Sequence, residues 1–167
     1  MAVMYRTALA RSHRPRRFEE LVGQDHVAST LRAAVDHGRT AHAYLFCGPR
    51  GIGKTTAARV LAMALNCPDL REGEPCGACD SCEAIWSGRT SLDVVEIDAA
   101  SNRGVDDARE LRERAMYAPS DEDRHKVYIV DEAHMLTRDA WNALLKILEE
   151  PPPRVFFVFA TTETNKI

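Results

Sequence analysis

Four short apolar runs punctuate the chain, at 43–47, 92–97, 127–130 and 155–160. They are rich in Val, Ile, Phe and Tyr, and at least two are nearly continuous rather than alternating. Strands of a parallel sheet covered on both faces have that pattern. Between the runs, apolar positions recur at helical spacing. Residues 26–35 form one candidate helix, closed by Gly38, and 55–65 form an Ala- and Leu-rich one after a glycine-rich turn. Around 106–116, Val105, Ala108, Leu111 and Ala115 share a face, with Arg109/Glu113 and Glu110/Arg114 as i,i+4 pairs outside. Residues 139–150 carry Trp141, Leu144, Leu145 and Leu148, and Pro151, Pro152 and Pro153 end that helix because proline lacks the N–H the next turn needs. Alternating strands and helices predict an α/β fold built on a parallel sheet. Residues 66–91 break the alternation and read as a polar, glycine-dotted insert between a helix and the second strand.

Composition adds exclusions. The chain has 167 residues, about one domain's worth, and its 45% hydrophobic content is too high for a disordered segment. No apolar stretch is longer than that at 155–160, far short of the roughly 18 residues of a membrane span. No apolar segment follows the basic N-terminal positions, so a signal peptide is not expected and a cytoplasmic protein without membrane contact is. A net charge of -3 argues against coating nucleic acid by bulk electrostatics and leaves room for a local basic patch. Arg6, Arg11, Arg14, Arg16 and Arg17 all precede Glu19, the first acid, and by charge alone read as a solvated leader.

The first strand runs into Gly48-Pro49-Arg50-Gly51-Ile52-Gly53-Lys54-Thr55, followed by Thr56. This is the phosphate-binding P-loop pattern in its required place, between a strand and a helix. Glycines let the backbone curl so that successive N–H groups face a phosphate, and the following helix adds its positive end. Lys54 is then expected to reach the β- and γ-phosphates and the Thr55 hydroxyl to ligate Mg²⁺, making Gly48 through Thr56 the nucleotide-binding residues. The third strand ends in Asp131-Glu132. Asp131 is placed to hold Mg²⁺ and Glu132 to polarise an attacking water. A solvated acid pair at a helix start is the blander alternative, and the P-loop one strand earlier weighs against it. At the end of the last strand Thr162 could bind the γ-phosphate or the water; equally, β-branched threonines simply suit a strand end.

Five cysteines are too few for a disulfide scaffold, and four of them stand at Cys67, Cys76, Cys79 and Cys82. Short C-x2-C spacings put two thiolates on one turn, and four sulfurs complete a closed structural Zn²⁺ site without other ligands. Four free cysteines in a loop, redox thiols and an iron–sulfur cluster are the alternatives. Cys47 reads as a core residue. A loop this polar has little to bury, so the metal is expected to supply its folding energy. Metal loss is then expected to disorder 67–82 while sparing nucleotide binding.

Taken together the motifs resemble the ATPase domain of the tau/gamma family of bacterial DNA polymerase III, the clamp-loader motor. The resemblance rests on Leu9-Ala10-Arg11-Ser12-His13-Arg14-Pro15, Phe18, Val22-Gly23-Gln24, the P-loop, the four cysteines and Glu96-Ile97-Asp98-Ala99-Ala100-Ser101. Tyr117-Ala118-Pro119, Asp131-Glu132-Ala133-His134-Met135 and the segment from Asn142 through Pro152 to Thr162 complete it. It implies an AAA+ fold that binds and hydrolyses ATP with Mg²⁺ to load a ring-shaped sliding clamp onto primed DNA during replication. Its implied partners are other loader subunits, the clamp, primer-template DNA and the replicative polymerase. By the same resemblance, Arg14, Pro15, Val22 and Gly23 line the adenine and ribose pocket and Thr162 is the first sensor. Arg103 and Arg109 become candidate DNA phosphate contacts, with a helix ion pair the standing alternative for Arg109. The expected organisation is a basic segment and helix at 1–40, the P-loop strand and helix at 41–66, the zinc insert at 67–91 and the remaining core at 92–167. The C-terminal part of the domain, with a trans-acting arginine, a second sensor, lid and collar, is expected beyond residue 167. Two readings from other classes compete: a nucleotide-binding zinc scaffold without turnover, and a helicase suggested by Asp131-Glu132-Ala133-His134 alone.

Overall fold

The computed structural model describes residues 12–88 and 91–167. Arg6, Arg11 and the 9–11 part of the family motif lie outside them. After a short 3-10 turn, Phe18–Glu20, the order is α1 (Asp25–Asp36), β1 (Ala43–Cys47), α2 (Lys54–Asn66), α3 (Asp80–Trp86) and β2 (Val94–Asp98). It continues through α4 (Val105–Ala115), β3 (Lys126–Asp131), α5 (Arg138–Glu149) and β4 (Val155–Thr161). Further 3-10 turns follow β3 and β4, at Ala133–Met135 and Thr164–Lys166.

The four strands form one parallel sheet in the order β1-β4-β3-β2. Period-two alternation divides the central strands between two cores. Val127 and Ile129 of β3, with Phe156 and Val158 of β4, pack against Phe18, Leu31 and the α2 residues Val60, Leu61 and Met63. Their neighbours Tyr128, Val130, Phe157 and Phe159 face Leu111, Ala115, Leu144 and Ile147 of α4 and α5. Both faces of β3 and β4 are therefore buried, which is why their sequences are continuously apolar. The outer strands β1 and β2 alternate between half-buried and mostly exposed positions, and Leu45 of β1 is 48% exposed.

Helix starts follow from local chemistry. Thr137 accepts the Ala140 N–H at 3.2 Å to open α5, and Asp107 accepts the Gly104 N–H at 3.1 Å to open α4. Among the described residues no helix is long and apolar enough to cross a membrane.

Several sequence expectations shift. The second strand starts at Val94 rather than residue 92, because Leu92 is 84% exposed while Asp93 turns inward to accept the Ser120 N–H at 2.8 Å and the Ser120 hydroxyl. Arg109 bonds Asp106 at 3.4 Å, one turn back, whereas Glu110–Arg114 forms as expected at 2.5 Å. In α5 the buried face is Ala140, Leu144 and Ile147, and Leu145 is 47% exposed. Cys47 is exposed at the end of the outer strand β1 rather than in the core. The insert also holds a helix, α3, that its polar composition concealed; Cys79 caps it, and Cys82 and Ile85 join the core.

Phe157 is fully buried and stacks on Tyr128, ring centroids 5.4 Å apart. Phe157→Ala should therefore cost about 3–5 kcal/mol, measured as a shift of the denaturant midpoint with the slope unchanged.

Candidate functional site

A parallel sheet delivers the C-terminal ends of all its strands to one edge, and loops there gather the polar residues. Cys47 lies opposite Thr161, and Asp98 opposite Asp131, in the ladder. The Gly48 N–H donates to the Thr161 carbonyl at 3.2 Å, fastening the start of the P-loop to the end of β4. Gly51 and Gly53 have φ of 86° and 93°, left-handed values that side chains resist. Gly53 is the N-cap of α2, so the first N–H groups of this thirteen-residue helix have no side-chain cap where the loop meets the helix. The Lys54 ammonium donates to the Gly48 and Pro49 carbonyls, both at 2.8 Å, which keeps it at the loop's mouth.

Thr55, on the first turn of α2, donates its hydroxyl to Asp131 Oδ2 at 2.8 Å. The other oxygen, Oδ1, accepts the Glu132 N–H at 2.9 Å. A helix start and a strand end distant in sequence thus share one carboxylate. Glu132 itself adopts φ of 52°, uncommon for a non-glycine residue and costly enough to require support. Its carboxylate lies 3.5 Å from Arg50 Nη2 and 3.5 Å from His134 Nε2.

His134 and Thr161 are site residues that sequence reasoning passed over. Nδ1 of the nearly buried His134 is 3.0 Å from Thr161 Oγ1, and its Nε2 is 3.8 Å from Glu163. Thr161 is fully buried and also accepts the Glu163 N–H at 3.0 Å. Thr162, one residue on, is half-buried beyond the strand end. In sequence His134 stands two residues after Glu132, whereas Thr161 is picked out only by its strand register opposite Cys47.

Beside the P-loop a cavity of about 290 Å³ is lined by Gln24 and Val27 of the α1 region, Leu45 and Phe46 of β1, and Ile52, Gly53 and Lys54. The residues expected at the adenine pocket lie upstream of it: Gly23 sits in a turn with φ of 76°, Val22 is 94% exposed, and Arg14 and Pro15 are half-buried. The Arg14 carbonyl accepts the Trp86 indole N–H at 3.2 Å. Thr56 is half-buried in the first turn of α2. Arg103 and Arg109 are exposed, and the Arg103 carbonyl accepts the Thr137 N–H at 3.0 Å.

The sulfurs of Cys67, Cys76, Cys79 and Cys82 all lie within 4.8 Å of one another. Backbone N–H groups point at them: Cys76 N to Cys67 Sγ at 3.3 Å, Cys79 N to Cys76 Sγ at 3.2 Å, and Cys82 N to Cys79 Sγ at 3.4 Å. Burial raises the Cys76 thiol, but N–H donors from Ala78 and Cys79 outweigh it and hold the group at about 7. Burial pushes Cys67 and Cys82 upward. A tetrahedral metal with sulfur at ~2.3 Å requires sulfurs about 3.8 Å apart, so four converging thiols with N–H groups stabilising their charge suit such an ion.

P-loop, strand-end acids and parallel sheet together define the P-loop fold of the AAA+ type. Among solved structures, the chain is similar to the RuvB Holliday junction branch migration motor of Thermotoga maritima, with a TM-score of 0.59 at 21% identity over 92% of this chain and 43% of that one. It is also similar to a DNA polymerase III gamma subunit-related protein of the same organism, TM-score 0.53 at 23% identity, over 83% and 40%. Sequence relatives narrow the class. Residues 23–167 match the family described as DNA polymerase III, delta subunit. Over 96% of its length the chain is 56% identical to the DNA polymerase III subunit gamma/tau of Mycobacterium tuberculosis and 53% identical to subunit tau of Bacillus subtilis. It spans 28% of the length of each of those relatives. Subunit tau of Escherichia coli is 51% identical over 95% of this chain and 24% of that protein. The chain belongs to the DNA polymerase III subunit family, alongside its gamma/tau members.

Proposed function

We propose that this chain is the ATP-binding and ATP-hydrolysing part of a clamp loader, which places a sliding clamp on primed DNA during replication. The hydrogen bond from Thr55 to Asp131, formed beside Lys54 and Glu132, is the observation that carries the proposal. Two groups that would share one Mg²⁺ are already in contact. Lys54 would move from the loop carbonyls to the β- and γ-phosphates, and the uncapped N–H groups of α2 would bind the same oxygens. Mg²⁺, when bound, neutralises charge building on the phosphates. Glu132 would orient and polarise the attacking water, and Thr162 would hydrogen-bond the γ-phosphate or that water. Arg50 and His134 set where the Glu132 carboxylate rests in the present arrangement.

The remaining roles rest on the family. Other loader subunits would supply an arginine in trans, worth roughly 10³–10⁵ in rate in related P-loop systems. Arg103 and Arg109, exposed on the loop before α4 and on α4, would contact DNA phosphates, and the replicative polymerase would be reached through other parts of the subunit. Cys67, Cys76, Cys79 and Cys82 would hold Zn²⁺, which ties the insert's turns to α3 where little apolar surface is available to do so.

In the full-length subunit assembled with its partners, clamp and primed DNA, Glu132→Gln should keep nucleotide binding and lower steady-state ATP turnover by about a hundredfold or more. Turnover equal to wild type, or none stimulated in either protein, would favour the scaffold without catalysis. Cys79→Ser should abolish stoichiometric zinc, read by metal analysis, and expose residues 67–82 to protease. Unchanged metal content and protease resistance together would remove the zinc assignment.

A further inference from the structure

The insert does more than close on itself: it grips the segment that precedes α1. Glu74, 8% exposed, accepts the Phe18 N–H at 2.8 Å and the Glu19 N–H at 3.1 Å. Both bonds go to main chain, so they fix the path of residues 17–20 whatever the side chains there do. Arg16 donates to the Gly77 carbonyl at 2.9 Å, pairs with Glu83, and lays its guanidinium 4.0 Å from the centre of the Trp86 ring. Arg16 and Arg17, which charge alone assigned to a solvated leader, belong to a strap pinned from the side of the cysteine cluster, Arg17 by a 3.4 Å bond to the Cys76 carbonyl. The insert also rests on α1 by backbone, since a Cβ at Gly73 would come within 2.3 Å of the Arg32 carbonyl oxygen.

The other end of the strap reaches the nucleotide site. From Phe18 and Leu21, both buried, the chain passes directly to Gln24 and Val27, which line the cavity beside Ile52, Gly53 and Lys54. That cavity is largely walled by apolar groups and opens where the P-loop ends. It therefore suits the flat, apolar face of a nucleobase rather than a phosphate.

We propose that the cysteine insert sets nucleoside recognition at a distance, with Glu74 and Arg16 as positioning residues that hold the strap, and through it Gln24 and Val27, against the base side of the cavity. Phosphate recognition, built from the P-loop and α2, is independent of the strap. This inference rests on the reading of the P-loop as a nucleotide site. It also departs from the sequence-based expectation that disorder of residues 67–82 on metal loss spares nucleotide binding.

The test uses the full-length subunit and two probes, ADP and inorganic tripolyphosphate, with affinities from titration calorimetry. Glu74→Ala and Arg16→Ala should each raise the dissociation constant of ADP by about tenfold, the loss expected when the competent arrangement falls to roughly a tenth of the population. Tripolyphosphate affinity should stay unchanged, and Glu74→Gln, which keeps one acceptor oxygen, should fall between wild type and Glu74→Ala. Unchanged ADP affinity in both alanine variants, or equal weakening of both probes, would overturn the proposal. Failure of Lys54→Ala to weaken tripolyphosphate would instead overturn the nucleotide-site reading on which it depends.

Discussion

The structure depends on burying both faces of two adjacent parallel strands. β3 and β4 have no solvent-facing side, so α1 and α2 must cover one face and α4 and α5 the other. A parallel arrangement needs a crossover between successive strands, and crossovers place every strand's C-terminal end at one edge. The site follows from that geometry. Asp131 ends β3, Thr161 ends β4, and the P-loop leaves β1 beside Thr161. Polar residues otherwise far apart in sequence meet there because the parallel strands all end at that edge.

Much of this was legible before any coordinates. The continuous apolar runs of β3 and β4 announced double-sided burial, and the P-loop pattern followed a strand as its mechanism demands. The four cysteines were readable from spacing alone, because thiolates must converge to bind a metal and short spacings achieve it. Less legible were features that depend on long-range contact. Asp93 reads as a strand residue until Ser120 is seen to fold over it. Leu145 and Ile147 are interchangeable in composition, and the packing angle of α5 on the sheet decides which is buried. The helix α3 is short and lies within a polar insert, and it opens on a cap supplied by Cys79, a residue that reads in sequence as part of the cysteine cluster.

The arginine-rich N-terminal segment shows why charge patterning misleads at short range. Counted along the chain, Arg14, Arg16 and Arg17 look like a solvated run. In space Arg16 faces Glu83, Trp86 and a carbonyl of the insert, and Arg17 reaches the Cys76 carbonyl at 3.4 Å. Partners that lie some sixty residues downstream are invisible to any local window. Glu74 is the clearest case: a buried carboxylate satisfied by two main-chain donors. Such a group is costly to leave unpaired, so it fixes its donors firmly.

The central claim is that Thr55 and Asp131, joined here by a 2.8 Å hydrogen bond, hold one divalent ion against a nucleotide. The most direct measurement is the affinity for Mn²⁺ in the presence of saturating ADP, followed by electron paramagnetic resonance in wild type, Thr55→Val, Asp131→Asn and the double variant. The account predicts that each single change weakens Mn²⁺ binding and that the double change costs clearly less than their sum, as expected of two groups acting on one ion. Strictly additive losses, or Mn²⁺ affinity untouched by either change, would contradict it.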